Sequence, residues 1–353
     1  MEISHRKSNI AEIFAAGPYM LKRRRRCGSR RAPWMGEAPV TARDTHIERV
    51  RDSVARGDAS RSLHAASWRR CISLYGMDPA EPRPSHVLGH AELGAARERS
   101  EELLHAGVPV IDRLFRLAGS GVCLLWADEE GVPLQSWDEE ADAVDLRHMG
   151  LCAGTDWSER HEGTNGIGTC LVERRPLIVR DDQHFFPREA RITCLVAPIF
   201  DHQGSLRGAL NATIYGRNDV SGRTELLFAA ICDAAQEIEA EYFHQAFEGL
   251  RILSVGGRRG TALLAVDRDE ILVGATRTAR AALGLSDSLI DTGCCVTDLF
   301  EDGQDGLDGA ERGVLRRALA RQRGNVTAAA RELDISLATM KRKIQQHRLR
   351  RKP

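Results

Sequence analysis

Gly324-Asn325-Val326-Thr327-Ala328-Ala329-Ala330-Arg331-Glu332-Leu333-Asp334-Ile335-Ser336-Leu337-Ala338-Thr339-Met340-Lys341-Arg342-Lys343-Ile344 is the stretch on which the reading of this chain turns. Gly324-Asn325 is a break. Thr327 is placed to cap a short helix, Ala328 to Leu333. Asp334-Ile335-Ser336 is a tight turn, and Ser336 is the N-cap of the next helix. Upstream, Gly313 to Arg321 reads as an amphipathic helix with Val314, Leu315, Ala318 and Leu319 on one face. Three helices in this order, the last two joined by three or four residues, make a helix-turn-helix. Small Ala329 and Ala330 permit close crossing, and Ile335 and Met340 fill the corner. Met340 and Ile344 face inward, while Thr339, Lys341, Arg342, Lys343 and Gln345 face out. From Glu311 to Pro353 there are thirteen Lys and Arg against three acids, on a chain whose net charge is zero. Charge concentrated in this way is the electrostatic footprint of a phosphate-binding module.

Upstream of this module the pattern changes. Residues 45–106 read as helical, with Ile47, Val50 and Val54 at helical spacing and Gly76 and Pro79 as stops. Residues 107–248 read as an antiparallel sheet with flanking helices. Gly121 to Ala127 and Val132 to Trp137 form a hairpin around Asp128-Glu129-Glu130-Gly131, Pro176 to Val179 is a strand, and Cys194 to Phe200 and Ser205 to Tyr215 form a second hairpin. Thr224 to Phe247 carries apolar residues at helical spacing. Residues 249–302 hold two strands, Ala262 to Val266 and Ile271 to Val273, and a helix, Arg277 to Leu285. That core is small and should pack on something else. Residues 303–310 are an acidic, Gly-rich linker, and 311–353 are the helical module. The fold class is α+β with an all-α C-terminal end.

The first 44 residues are a basic extension, with Arg23 to Arg26 in one block. It reads as an unstructured arm or as sequence ahead of a start at Met35; an arm that touches DNA is a third reading. No apolar run follows, so a secretory signal is not expected. Nine cysteines without a CxxC pair fit thiols in a reducing cytosol better than a disulfide framework, and a cytoplasmic location is expected. No run approaches a membrane span. No triad, metal set or carboxylate pair stands out, so neither enzyme activity, nor a metal, nor a cofactor is expected.

Residues 323–343 resemble the Fis-type helix-turn-helix that ends NtrC-class bacterial regulators. The resemblance implies that Ser336, Leu337, Thr339, Lys341, Arg342 and Lys343 lie at the DNA, with Thr327 counted among them. Leu337 departs from the pattern, since many relatives carry a polar or basic residue there. His161-Glu162-Gly163-Thr164-Asn165-Gly166-Ile167-Gly168-Thr169, Glu173-Arg174-Arg175-Pro176, Gln183-His184-Phe185 and Cys194 to Asn211 resemble the GAF domain of regulators similar to the acetoin catabolism activator, the AcoR group. Ser67-Trp68-Arg69-Arg70-Cys71 through Asp78-Pro79 resembles their N-terminal region, and Ala262 to Leu285 a partial PAS-like unit.

That resemblance implies a small-molecule effector, with Trp157, Thr164, Asn165, Cys170, Cys194 and Asn211 as candidate contacts. Each also has a structural reading: Asn165 as a helix cap, Gly166 and Gly168 as close-packing turns, the cysteines as core. A phosphate loop is excluded, because the Gly-rich string has no Lys-Ser/Thr tail and no preceding strand. The AcoR architecture places an AAA+ ATPase between sensor and helix-turn-helix. Here ten residues separate Phe300 from Glu311, and Gly-x-x-x-x-Gly-Lys-Ser/Thr occurs nowhere. The expectation is a dimeric, effector-responsive DNA-binding regulator of a palindromic operator. It would act without ATP hydrolysis, with RNA polymerase or as a repressor. The alternative is a modulator that associates with a full-length, sigma-54-dependent paralogue. The pairing helices expected are Thr224 to Phe247 and Gly313 to Arg321.

Overall fold

Pro39 is the last helix breaker before Gly57, and helix α1 fills most of that interval, Val40–Arg56. It starts five residues before the expected boundary at 45. Gly57, at φ 75°, ends it. The computed structural model describes residues 40–215, 222–256 and 262–300. In the C-terminal module it describes Glu311, 313–315, 318–319, 321–322, 324–347 and Leu349. The basic block at 23–26, Met35 and the linker 303–310 lie outside the described residues.

Helix α2, Leu63–Ser73, is capped by Ser62 and buries Ala65, Trp68 and Cys71 at three-residue spacing. With Val50, Met77, Phe185 and Phe186 these side chains form a separate core, in which the N-terminal helices meet a loop of the sheet domain. Helices α3, His90–Arg99, and α4, Glu101–Ala118, meet at Ser100. The expected division at 106/107 therefore falls inside α4, which belongs wholly to the sheet domain's packing.

Five antiparallel strands follow: β1 Val122–Asp128, β2 Pro133–Trp137, β3 Leu177–Arg180, β4 Ile192–Phe200 and β5 Leu206–Tyr215. Their order is β2-β1-β5-β4-β3. Side chains alternate across the sheet. Leu124, Trp126, Leu195, Ala197, Leu210 and Ala212 face α4 and the later helix α8, Arg223–Ala246. Cys123, Leu125, Cys194, Val196 and Ala209 face the other way, onto a segment holding α5 (Ala143–His148), α6 (Glu159–Glu162) and α7 (Gly166–Glu173). Burial on both faces explains why β1 and β4 are continuous apolar runs rather than alternating ones.

The next unit is a three-stranded sheet in the order β6-β7-β8: β6 Arg251–Ser254, β7 Leu263–Val266 and β8 Leu272–Ala275, then α9 (Arg277–Leu283) and α10 (Asp287–Asp291). Strand β6 was not expected; it is short and has no buried residue. One face of the sheet packs on α9, and the other receives Phe243 and Phe247 from the end of α8 against Leu263, Ala265 and Ile252. The Arg277 guanidinium lies 4.1 Å from the Phe200 ring centroid. The small core is thus completed by its neighbour, as its size requires.

The C-terminal module has helical backbone at Leu315, Ala318 and Leu319, then α11 (Val326–Glu332) and α12 (Leu337–Gln346). Leu315, Ala318, Ala329, Ala330, Met340 and Ile344 form its core. Val314, expected inside, is 40% exposed. Asp334 turns the chain at φ 51°, a conformation that Asp tolerates better than most residues. Among the described residues no helix is long and apolar enough to cross a membrane.

Candidate nucleic-acid interface and sensor interior

The cap of α11 is Asn325, whose side-chain oxygen accepts from Thr327 N and Ala328 N, both at 3.1 Å. Thr327, expected to cap, is exposed on the first turn instead. Gly324, at φ 80°, precedes the cap, which falls two residues earlier than Thr327. Arg321 and Gln322 then tie the first helix to Glu332 of α11, through Nε to Oε1 at 2.7 Å and Nε2 to Oε2 at 3.0 Å.

Ser336 caps α12 as expected, accepting from Thr339 N at 3.1 Å, and the two hydroxyls lie 2.8 Å apart. Both hydroxyls are therefore engaged with each other. Lys343 does not face outward: its ammonium ion-pairs with Glu311 of the first helix, and the other oxygen of Glu311 lies 3.0 Å from His347 Nε2. The sequence placed Lys343 on the outer face because its partner lies 32 residues away. The exposed residues on α12 are Leu337, Ala338, Lys341, Arg342, Gln345 and Gln346. Of the predicted set, the structure leaves Lys341 and Arg342 as exposed charges and Leu337 as a partly exposed apolar group.

In the five-stranded sheet domain, all six candidates are buried. Trp157 donates to Gly150 O at 2.8 Å. Asn165 caps α7, accepting from Gly168 N at 2.9 Å and donating to Trp157 O and Gly163 O. Cys170 gives its thiol to Arg175 O at 3.4 Å. Gly166 follows the cap and lies against the sheet, where an added Cβ would stand 2.5 Å from Cys194 Cβ and 3.0 Å from Asn211 Oδ1. Cys194 and Asn211 thus meet at Gly166, the residue after the Asn165 cap. Burial pushes the Cys194 thiol up to about 12. Asn211 donates to Thr213 Oγ1 at 2.9 Å, but its Oδ1 has no hydrogen-bond partner among the described residues. An open cleft of about 580 Å³ lies between Tyr75, Glu129, Arg160 and Arg174, and none of the six candidates lines it.

Thr164 faces the N-terminal helices instead. Its hydroxyl is 2.6 Å from Ser67 Oγ. Ser67 also bonds Glu159, which is 2% exposed and receives both Arg70 Nε at 2.8 Å and Arg70 Nη2 at 2.9 Å. Arg70 Nη1 reaches Glu173 at 2.8 Å. Ser67 and Arg70 fasten α2 to α6 and α7, and the guanidinium is held firmly in its charged form by the Glu159 hydrogen bonds. The Ser67-to-Cys71 string carried the signal, while Glu159 gave none in the sequence.

A second buried set was also missed. Arg188 ion-pairs with Glu162 and Glu189. Burial, with Glu162 nearby, pushes Glu189 up to about 8 despite Arg188. Three histidines, His46, His64 and His184, meet where α1 and α2 touch the loop before β4. His184 Nδ1 lies 2.9 Å from Asp181 O and His46 Nε2 lies 3.2 Å from Phe185 O. Burial pushes His184 down to about 4, with His64 and His46 adding in the same direction. A histidine depressed from about 6.5 favours the folded state fully above 6.5 and loses that contribution as pH falls to 4. Glu189 runs in the opposite sense, losing stability as pH rises from its unfolded value toward 8. The difference between variants isolates the histidine. The destabilisation caused by His184→Gln at pH 7.5 is expected to shrink by about 3 kcal/mol at pH 4, read from urea midpoints. A pH-independent difference would show that His184 is not held neutral.

A GAF domain family model matches residues 105–236, and a model described as bacterial regulatory protein, Fis family, matches 307–347. The acetoin catabolism regulatory protein of Cupriavidus necator is 30% identical over 236 residues, which cover 64% of this chain and 35% of that protein. The acetoin dehydrogenase operon transcriptional activator AcoR of Bacillus subtilis is 26% identical, over 46% of this chain and 27% of its own length. The chain spans about a third of the length of the curated relatives it matches. A chain of the Escherichia coli DhaR(N)-DhaL complex superposes with a TM-score of 0.47 at 18% identity, over 64% of this chain and 77% of that one.

Proposed function

We propose that this chain, which carries a GAF domain and a Fis-type helix-turn-helix and is homologous to the acetoin catabolism regulators, is a transcriptional regulator that binds DNA through α12 and answers to a small molecule held by its GAF domain. The observation that carries the DNA reading is the register of α12. Met340 and Ile344 lock it into a three-helix core, and that register turns Lys341 and Arg342 to solvent. Cations on such a helix neutralise phosphates and release counterions.

The regulator acts without ATP hydrolysis, since the sequence between the small sheet unit and the helical module holds no phosphate loop. The effector reading draws on the sensor interior. Asn211 Oδ1, beside Cys194 at Gly166, is a buried acceptor with no partner among the described residues, and Glu189 Oε2 is a second buried oxygen without one. Groups of this kind suit a small neutral molecule that can donate a hydrogen bond. Pairing with a second copy would cover Leu117 and Leu226, 77% and 73% exposed on α4 and α8.

The test is fluorescence anisotropy of the full chain on a duplex selected from a random-sequence library, across a salt series. Arg342→Ala should lower the slope of log affinity against log salt by about one and weaken binding about fivefold near physiological salt. Lys343→Ala should change the slope much less, because Lys343 is paired with Glu311. Equal slopes for wild type and Arg342→Ala would remove α12 from the DNA.

A further inference from the structure

The exposed side of α12 changes chemistry along its length. Leu337 and Ala338 at its start carry no hydrogen-bonding group, and Lys341 and Arg342 follow one turn later. Leu337 is 37% exposed. It belongs neither to the buried cluster of Leu315, Ala318, Ala329, Ala330, Met340 and Ile344 nor to the half-buried residues packed on that cluster. Among the described residues, Leu337 thus stands outside the packed core of the module, with more than a third of its surface open to solvent. The neighbouring hydroxyls of Ser336 and Thr339 are engaged with each other and with the cap.

A recognition helix meets base edges with its first residues and the backbone with the cations that follow. Each base pair presents donors and acceptors in the major groove, and thymine adds an apolar group, its C5 methyl. An isobutyl side chain gains contact with that methyl. Against any other base edge it would strip water from a polar atom and return no hydrogen bond. The geometry points to Leu337 as a specificity-determining residue that packs on a thymine methyl in each half-site, with Ala338 small enough to let the helix approach. This rests on the DNA-binding reading of α12. It assigns base preference to an apolar contact and affinity to Lys341 and Arg342.

The experiment starts from duplexes selected with the full chain from a random-sequence library. Each thymine of the selected site is replaced singly by deoxyuridine, which removes the methyl and leaves the pairing intact. For the wild type, one thymine per half-site should cost about fourfold in affinity when its methyl is removed, the worth of one buried methyl group. Leu337→Ala should be indifferent at that position and keep the wild-type salt slope. Leu337→Arg should move the selected base there from thymine to guanine, which Arg reads through O6 and N7. Steep salt dependence with no methyl-sensitive thymine, or an unchanged methyl profile in Leu337→Ala, would overturn this assignment and leave the DNA reading standing. Failure of the wild type to select any duplex would overturn both. The deoxyuridine series on the wild type needs no variant to fold.

Discussion

Arg70→Met is expected to destabilise the chain by about 3–5 kcal/mol, measured as the shift in urea unfolding free energy. Glu159 is almost wholly buried, and Arg70 supplies two of its hydrogen bonds and its only opposite charge described there. Removing the guanidinium leaves a carboxylate with Ser67 and Thr169 as hydroxyl partners and no cation. Arg70→Lys should recover little, because one ammonium cannot span both carboxylate oxygens and also reach Glu173. The double variant Arg70→Met with Glu159→Gln should regain much of the loss, because no buried charge is then left unpaired. A loss below about 1 kcal/mol for Arg70→Met would mean that Glu159 is not held by this pair.

Gly168→Ala should cost about 2–3 kcal/mol, although alanine is the better helix former. An added Cβ would stand 2.3 Å from Glu159 N and 2.6 Å from Trp157 O. Both are backbone atoms, so no side chain can rotate away. Helix α7 must move, and Asn165, which bonds Trp157 O and Gly163 O, moves with it. Gly94→Ala in α3 is the matched comparison. Nothing lies within 4 Å of a Cβ there, and the same substitution should stabilise by about 0.5–1 kcal/mol. Opposite signs from two Gly→Ala changes in helices, measured in one unfolding assay, separate close packing from helix propensity. Two changes of the same sign would show that α7 is not packed against the 157–159 backbone.

The helix-turn-helix was legible because its determinants are local. Ala329, Ala330, Met340 and Ile344 lie within sixteen residues of one another, and the Ser336 cap acts three residues away. Choosing between Asn325 and Thr327 as the cap needed the φ of Gly324, which sequence does not carry. Lys343 was misplaced for a different reason, a partner at Glu311 on another helix. In the sensor the hairpins followed from apolar runs separated by turn residues. Strand β6 did not, since Arg251–Ser254 has neither alternation nor a buried residue to announce it.

The candidate effector residues show the same divide. Sequence could name Asn165 as a cap and the cysteines as core, and both descriptions fit the geometry. It could not show that Thr164 faces Ser67 while Asn211 faces Gly166. Nor could it pair Arg70 with Glu159, 89 residues on.

Helix α8 has 24 residues and so is about 36 Å long. Leu227, Ile231, Ala234 and Ile238 seat its first part in the core of the five-stranded sheet domain, and Phe243 and Phe247 near its end seat the small sheet unit. It is a beam clamped at one end and loaded at the other. A bend of about 3° just past Ile238, the last of these core residues, carries Phe247, nine residues on, through about 0.7 Å. Residues that hold the core of the five-stranded sheet and residues that hold the small sheet thus share one rigid rod, so a shift of the rod in one core is felt in the other.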